Sequence, residues 1–184
     1  MNPRILIAGI GNIFLGDDAF GVEVAQRLLR RPQPEDVRVV DFGIRGLDLT
    51  YALLDGNYEV AILIDATPRG GPPGTLYILE PEIDPQIDAN GASPLVEGHS
   101  MDPVKVLRTV AAMGGGSTRV LLVGCEPGPP LAEDEMDMSM SEPVQAAAEE
   151  AVGLVESLVA RILKGEQLSE SDTAPSHLHV TAPS

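Results

Sequence analysis

The run Val60-Ala-Ile-Leu-Ile64 contains no polar residue and stops at Asp65. A strand wet on one face alternates apolar with polar side chains. An unbroken run belongs to a strand covered on both faces, as in a parallel sheet with helices above and below. Ile5-Leu-Ile-Ala8 is of the same kind, and so is Val120-Leu-Leu-Val123 within the last strand, Arg119 to Gly124. A chain built on such strands must supply helices for both sides of its sheet.

Between the strands the periodicity changes to that of helices. A helix begins near Asp17 or Asp18, which stand as its caps against the helix dipole, and Val24, Ala25, Leu28 and Leu29 form its apolar stripe. Pro32 and Pro34 stop it. Val37 to Val40 is a short strand ending at Asp41, followed by a helix over residues 47–54. Thr75 to Leu79 reads as an edge strand, and residues 81–98 as a long irregular loop. Ser100 is expected to cap a helix with Pro103 in its first turn and Val104, Leu107, Val110 and Ala111 on its buried face. A final amphipathic helix spans residues 141–163. The expected fold is a three-layer α/β/α sandwich around a mostly parallel, twisted sheet of about five strands. Residues 1–164 form one domain, and the Ser-, Glu- and Pro-rich residues 165–184 read as a disordered tail.

Charge narrows the partners. Twelve basic residues against 28 acidic ones leave a net charge of −16, which argues against nucleic acid and anionic membrane surfaces. No apolar run reaches the roughly 18 residues of a spanning helix. Cytoplasm is the expected compartment and a monomer the expected assembly. The single cysteine, Cys125, excludes an internal disulfide and reads as a small core residue.

The first strand feeds the turn Gly9-Ile-Gly-Asn-Ile-Phe-Leu-Gly-Asp-Asp18. It departs from a dinucleotide fingerprint, because Phe14 stands where the third glycine is needed. A phosphate there would also meet Asp17 and Asp18, although Asp41 could pass for a ribose-binding acid. In an open α/β sheet, ligands gather beyond the carboxyl ends of the strands. Asp18 after the first strand, Asp65 ending a buried strand and His99 before a helix could share that edge. Two oxygens and an imidazole suit Zn, Ni or Co better than Mg or Ca. Taken singly, Asp17 and Asp18 are caps, Asp65 is a loop anchor and His99 a structural histidine. His177 and His179 sit in the tail and carry no role. Spacing alone thus yields an acidic site without a reaction.

The stretch Gly9-Ile-Gly-Asn-Ile-Phe-Leu-Gly-Asp-Asp-Ala-Phe-Gly-Val22 resembles the opening signature of the hydrogenase maturation proteases, which process the large subunit of nickel–iron hydrogenases. Asp41-Phe-Gly-Ile-Arg-Gly46, Ile64-Asp-Ala66, Gly98-His-Ser100, Val123-Gly-Cys-Glu-Pro127 and Met140-Ser-Glu-Pro143 follow in the family's order, so the likeness covers about residues 4–160. The resemblance implies an endopeptidase that removes a C-terminal extension from the large-subunit precursor once nickel is inserted. Asp18, Asp65 and His99 would be its catalytic and metal-contacting residues, and Asp17 a turn-stabilising neighbour. Family members often carry Glu where this chain has Asp18. The nickel would come with the precursor, with Zn or Cd able to substitute in vitro. The alternatives are a metal-free aspartyl mechanism, a non-catalytic metal-recognition module and a nucleotide-binding protein.

Overall fold

The computed structural model describes residues 4–82, 101–129, 138–169 and 172. Five strands form one sheet: β1 (Ile5–Ile10), β2 (Val37–Gly43), β3 (Val60–Ala66), β4 (Leu76–Leu79) and β5 (Arg119–Cys125). Their order is β2-β1-β3-β5-β4. The first four in that order run parallel, and β4 closes one edge antiparallel to β5. The four helices are α1 (Phe20–Leu29), α2 (Gly46–Asp55), α3 (Pro103–Ala112) and α4 (Glu142–Leu163).

Alternation along the strands sorts the core into two layers. Ile5 and Ile7 of β1 join Ile62, Ile64 and Val123 under α1 and α4, where Phe20, Val24, Leu28 and Val155 meet them. Leu6, Ala8 and Ile10 point the other way with Leu63 and Leu122, toward Leu49 and Leu53 of α2 and Leu107 and Val110 of α3. Every residue of β1 is buried, as its unbroken apolar run predicts. Apart from Phe20, the largest fully buried side chains are Ile and Leu.

Element boundaries fall within a few residues of the sequence reading, with two physical differences. α3 is capped by Asp102, whose Oδ1 accepts the Val104 N–H at 2.9 Å with Pro103 at the first helical position; Ser100, the expected cap, lies outside the described residues. With the helix phased from Asp102, Val106 joins Leu107 and Val110 in the core, and Val104 is only half-buried. Past α4, Leu168 packs against the first core layer, and Asp172 is gripped by Arg161 at 2.9 and 3.1 Å. The rest of the expected tail, including His177 and His179, lies outside the described residues. Among the described residues no helix is long and apolar enough to cross a membrane.

Candidate active site

Strand order determines where a cleft can open. From β1 the chain passes to β2 on one side, whereas β3 lies on the other, so the connections diverge between the carboxyl ends of β1 and β3. Such a switch point is where α/β sheets receive ligands. The turn after β1 and the last residues of β3 meet there.

Glycines let the turn close. An added Cβ at Gly21 would overlap the carbonyl oxygens of both Ile10 and Ile64, so α1 starts pressed against the ends of β1 and β3. At Gly9 an added Cβ would lie 2.5 Å from the Ala25 Cβ and 2.6 Å from Gly21 O. Gly21 thus supplies the close helix–strand approach that a dinucleotide turn assigns to the position of Phe14. Gly11, at φ +146°, passes so near the Asp18 backbone that no side chain fits.

The carboxylates are not helix caps. A single 3-10 turn, Gly16–Ala19, precedes α1, and neither it nor α1 has a side-chain cap. Asp18 reaches back instead, and its Oδ2 accepts the Asn12 N–H at 2.8 Å. That amide is one a phosphate would need, so the turn satisfies with its own acid what a nucleotide loop leaves free. Asp17 points to the other side. It accepts the N–H of Gly128 at 2.8 Å and of Ser141 at 2.7 Å, and the Ser141 hydroxyl at 3.0 Å, tying the turn to the start of α4. Asp17 is therefore the turn-stabilising neighbour. Asp41 is likewise engaged, accepting from the Gln26 amide at 2.8 Å.

Asp65 sits in the sheet opposite Gly124, with only 8% of its surface exposed. Burial first, then the nearby negative charge of Asp18, pushes its carboxyl well above the usual carboxylate range; Asp102 adds a smaller push, and the Ala66 N–H opposes them. The charge of Asp18 thus acts on Asp65. Asp102 reaches their neighbourhood too, a contribution the sequence reading missed although Asp-Pro before an apolar helix was a visible cap signal. Among the described residues no three His, Cys, Asp or Glu side chains form a metal-holding group. His99, the expected third member, lies outside the described residues.

Behind Asp65 the chain is locked by Glu126, which the sequence reading did not single out. Its buried carboxylate accepts the Arg69 N–H at 2.7 Å, the Gly70 N–H at 3.1 Å and the Tyr77 hydroxyl at 2.8 Å. Burial pushes this carboxyl upward, but those donors outweigh it and hold it below the ordinary range. Glu126 thereby fixes the loop that leaves β3. Cys125 beside it is buried, with its thiol pushed up to about 12 chiefly by desolvation; it is no nucleophile.

Two carboxylates delivered to a switch point, one of them deeply buried, are hard oxygen ligands suited to a cation. Solved structures similar to this one include maturation peptidases. The Escherichia coli hydrogenase maturating endopeptidase HybD superposes with a TM-score of 0.66 at 31% identity, over 92% of this chain and 99% of that one. The Thermococcus kodakarensis maturation protease HycI gives 0.59 at 27% identity, over 88% and 92%. The sequence model of the hydrogenase maturation protease (HycI) family matches residues 22–158, beginning just after the carboxylate turn. The Escherichia coli hydrogenase 2 maturation protease is 33% identical over 126 residues, 67% of this chain and 73% of that protein. The Azotobacter chroococcum hydrogenase expression/formation protein HupM is 32% identical over 155 residues, 83% and 70% of the two chains. The chain belongs to the hydrogenase maturation proteases, a family of hydrolases.

Proposed function

We propose that the protein is a nickel-dependent endopeptidase that removes the C-terminal extension of a nickel–iron hydrogenase large-subunit precursor, acting as a monomer in the cytoplasm. The observation that carries the reading is the buried Asp65 beside Asp18. Two like charges held near one another in a desolvated place are relieved by a bound cation. Asp18 and Asp65 would hold a nickel ion arriving with the precursor, and His99 would complete the set. Met101 packs against Gly46 and Asp102 lies near Asp65, so the described chain just after His99 runs along this same rim.

Nickel supplies Lewis-acid polarisation at such a site. The chain's own residues orient and desolvate. The sheet fixes Asp65, the Asn12 N–H aims Asp18, and Glu126 anchors the loop after β3. Because enzyme and precursor would share the metal, an unloaded precursor would not be cut.

The test is cleavage of nickel-loaded precursor followed by mass spectrometry. Asp65→Ala and His99→Ala are expected to abolish product release while the circular dichroism spectrum is preserved. Normal processing by both variants ends the proposal. The raised proton affinity of Asp65 favours a second reading, in which Asp18 and Asp65 act as acid and base without metal. Cleavage of nickel-free precursor in chelator would select that mechanism.

A further inference from the structure

Next to the carboxylates, three consecutive apolar side chains stand in water: Ile13, Phe14 and Leu15 are 54%, 65% and 59% exposed. Their loop is tightly held. The Asn12 side-chain oxygen accepts the Phe14 N–H at 2.9 Å, the Leu15 N–H reaches Asn12 O at 3.1 Å, and the Asp18 N–H reaches Leu15 O at 3.1 Å. The loop is thus held by its own hydrogen bonds with its three apolar side chains exposed. The neighbouring loop does the same. Gly11 N–H donates to Gly43 O at 3.0 Å, so the segments after β1 and β2 leave the sheet side by side, and Ile44 and Leu47 are about half exposed. A fixed cluster of exposed large apolar residues on a rim marks a binding surface rather than a random surface residue.

The charge around this cluster selects its occupant. Asp17 and Asp18 follow the first loop directly, with the Asp18 N–H bonded to Leu15 O, Asp48 stands in the second, and the whole chain carries −16. Arg45, the cation on this stretch, is taken by Asp48 at 3.2 Å and by the Asp41 carbonyl. A ligand seated here meets apolar side chains within a negative field.

We propose that Ile13, Phe14 and Leu15, with Ile44 and Leu47 beside them, are the surface on which the hydrogenase large-subunit precursor docks, through a segment of apolar residues flanked by lysine or arginine. This rests on the processing role given above and names what presents the scissile chain to Asp18 and Asp65. The apolar loop and Asp18 share one hydrogen-bonded turn, so docking and the site are held in a constant relation.

The test is calorimetric titration of the full chain with the large-subunit precursor at low and at raised salt, using Phe14→Ser and the pair Ile13→Ser with Leu15→Ser. Both variants should melt within about 2 °C of the wild type, because the altered side chains are exposed. Each should weaken Kd about tenfold or more and raise KM in step, with kcat held within about twofold. Raised salt should weaken binding by the wild type. An unchanged Kd in both variants overturns the docking surface, and salt-insensitive binding overturns its basic partner. Wild-type dimers that the variants dissolve, at constant Kd for precursor, would make the face a self-association surface and overturn the proposal. Precursor that binds at this surface but is never cut ends the processing role and leaves the docking surface standing.

Discussion

Replacing Gly21 by alanine adds one methyl group where the structure has least room. Its Cβ would lie 2.8 Å from the carbonyl carbon of Ile64 and closer still to the oxygens of Ile64 and Ile10. Ordinary contact begins at 3.4 Å, so the carbon alone demands a shift of 3.4 − 2.8 = 0.6 Å, and the oxygens demand more. All of these are backbone atoms of buried central strands, so no side-chain rotation can relieve them. Overpacking costs about 1–3 kcal/mol where side chains can adjust. Here the upper end, about 3 kcal/mol, is expected. For a chain of this length that lowers Tm by about 6–12 °C.

Gly153→Ala is the internal control. Gly153 lies within α4 with nothing inside 4 Å of an added Cβ, so that substitution should raise stability by up to about 1 kcal/mol through helix propensity. Urea unfolding and calorimetry on both variants would decide the matter. A Gly21→Ala protein melting within 2 °C of the wild type would refute the close approach of α1 to β1 and β3, and with it the position of Asp18.

Two more substitutions probe the site from either side. The raised carboxyl of Asp65 means that the folded protein holds a proton the unfolded chain releases, so its contribution to stability is full below about pH 4 and is lost as pH rises through the folded value. Asp65→Asn mimics the protonated form: in metal-free protein it should melt above the wild type at pH 7.5, the gap closing toward pH 4, while cleavage is lost; equal melting at both pH values would contradict the burial argument. Asp17→Ala strips acceptors from the N–H groups of Gly128 and Ser141, and should cost about 1–3 kcal/mol in urea unfolding, with a restored wild-type midpoint in Asp17→Asn ruling out any need for the charge.

What the sequence made legible follows from how local each signal is. The unbroken runs at Ile5–Ala8 and Val60–Ile64 announced strands covered on both faces, and the sheet places them side by side at its centre. The carboxyl edge, and the arrival of Asp18 and Asp65 there, followed from the same runs. Asp17 was misread as a cap because its partners lie 111 and 124 residues away, beyond any local pattern. Glu126 was hidden for the same reason: its meaning depends on the amides of Arg69 and Gly70 across the sheet edge. Asp102 was a local signal overlooked, since a serine two residues earlier offered an equally good cap. The exposed Ile13, Phe14 and Leu15 look in sequence like any apolar stretch; their exposure, in a turn closed by the Asn12 side chain, is visible only in the fold.

Neither carboxylate at the switch point is free to retreat. Asp65 is built into β3 between β1 and β5, its register opposite Gly124 set by the sheet. Asp18 is drawn back by the Asn12 N–H, while Gly11 packs against its own backbone and Gly21 seals the helix three residues on. Moving either carboxylate away would break those contacts, so under the proposed function the arriving ligand, not a rearrangement of the site, offsets the burial of Asp65. Scaffold and site therefore respond to substitution with opposite signs. Filling the space at Gly21 is expected to weaken the fold, whereas neutralising Asp65 is expected to strengthen it and, under the proposed function, to remove the chemistry. If the loss of Asp65 does stabilise the protein at neutral pH, its carboxylate is kept there for a purpose other than folding, the expected mark of a residue retained for function at a cost in stability.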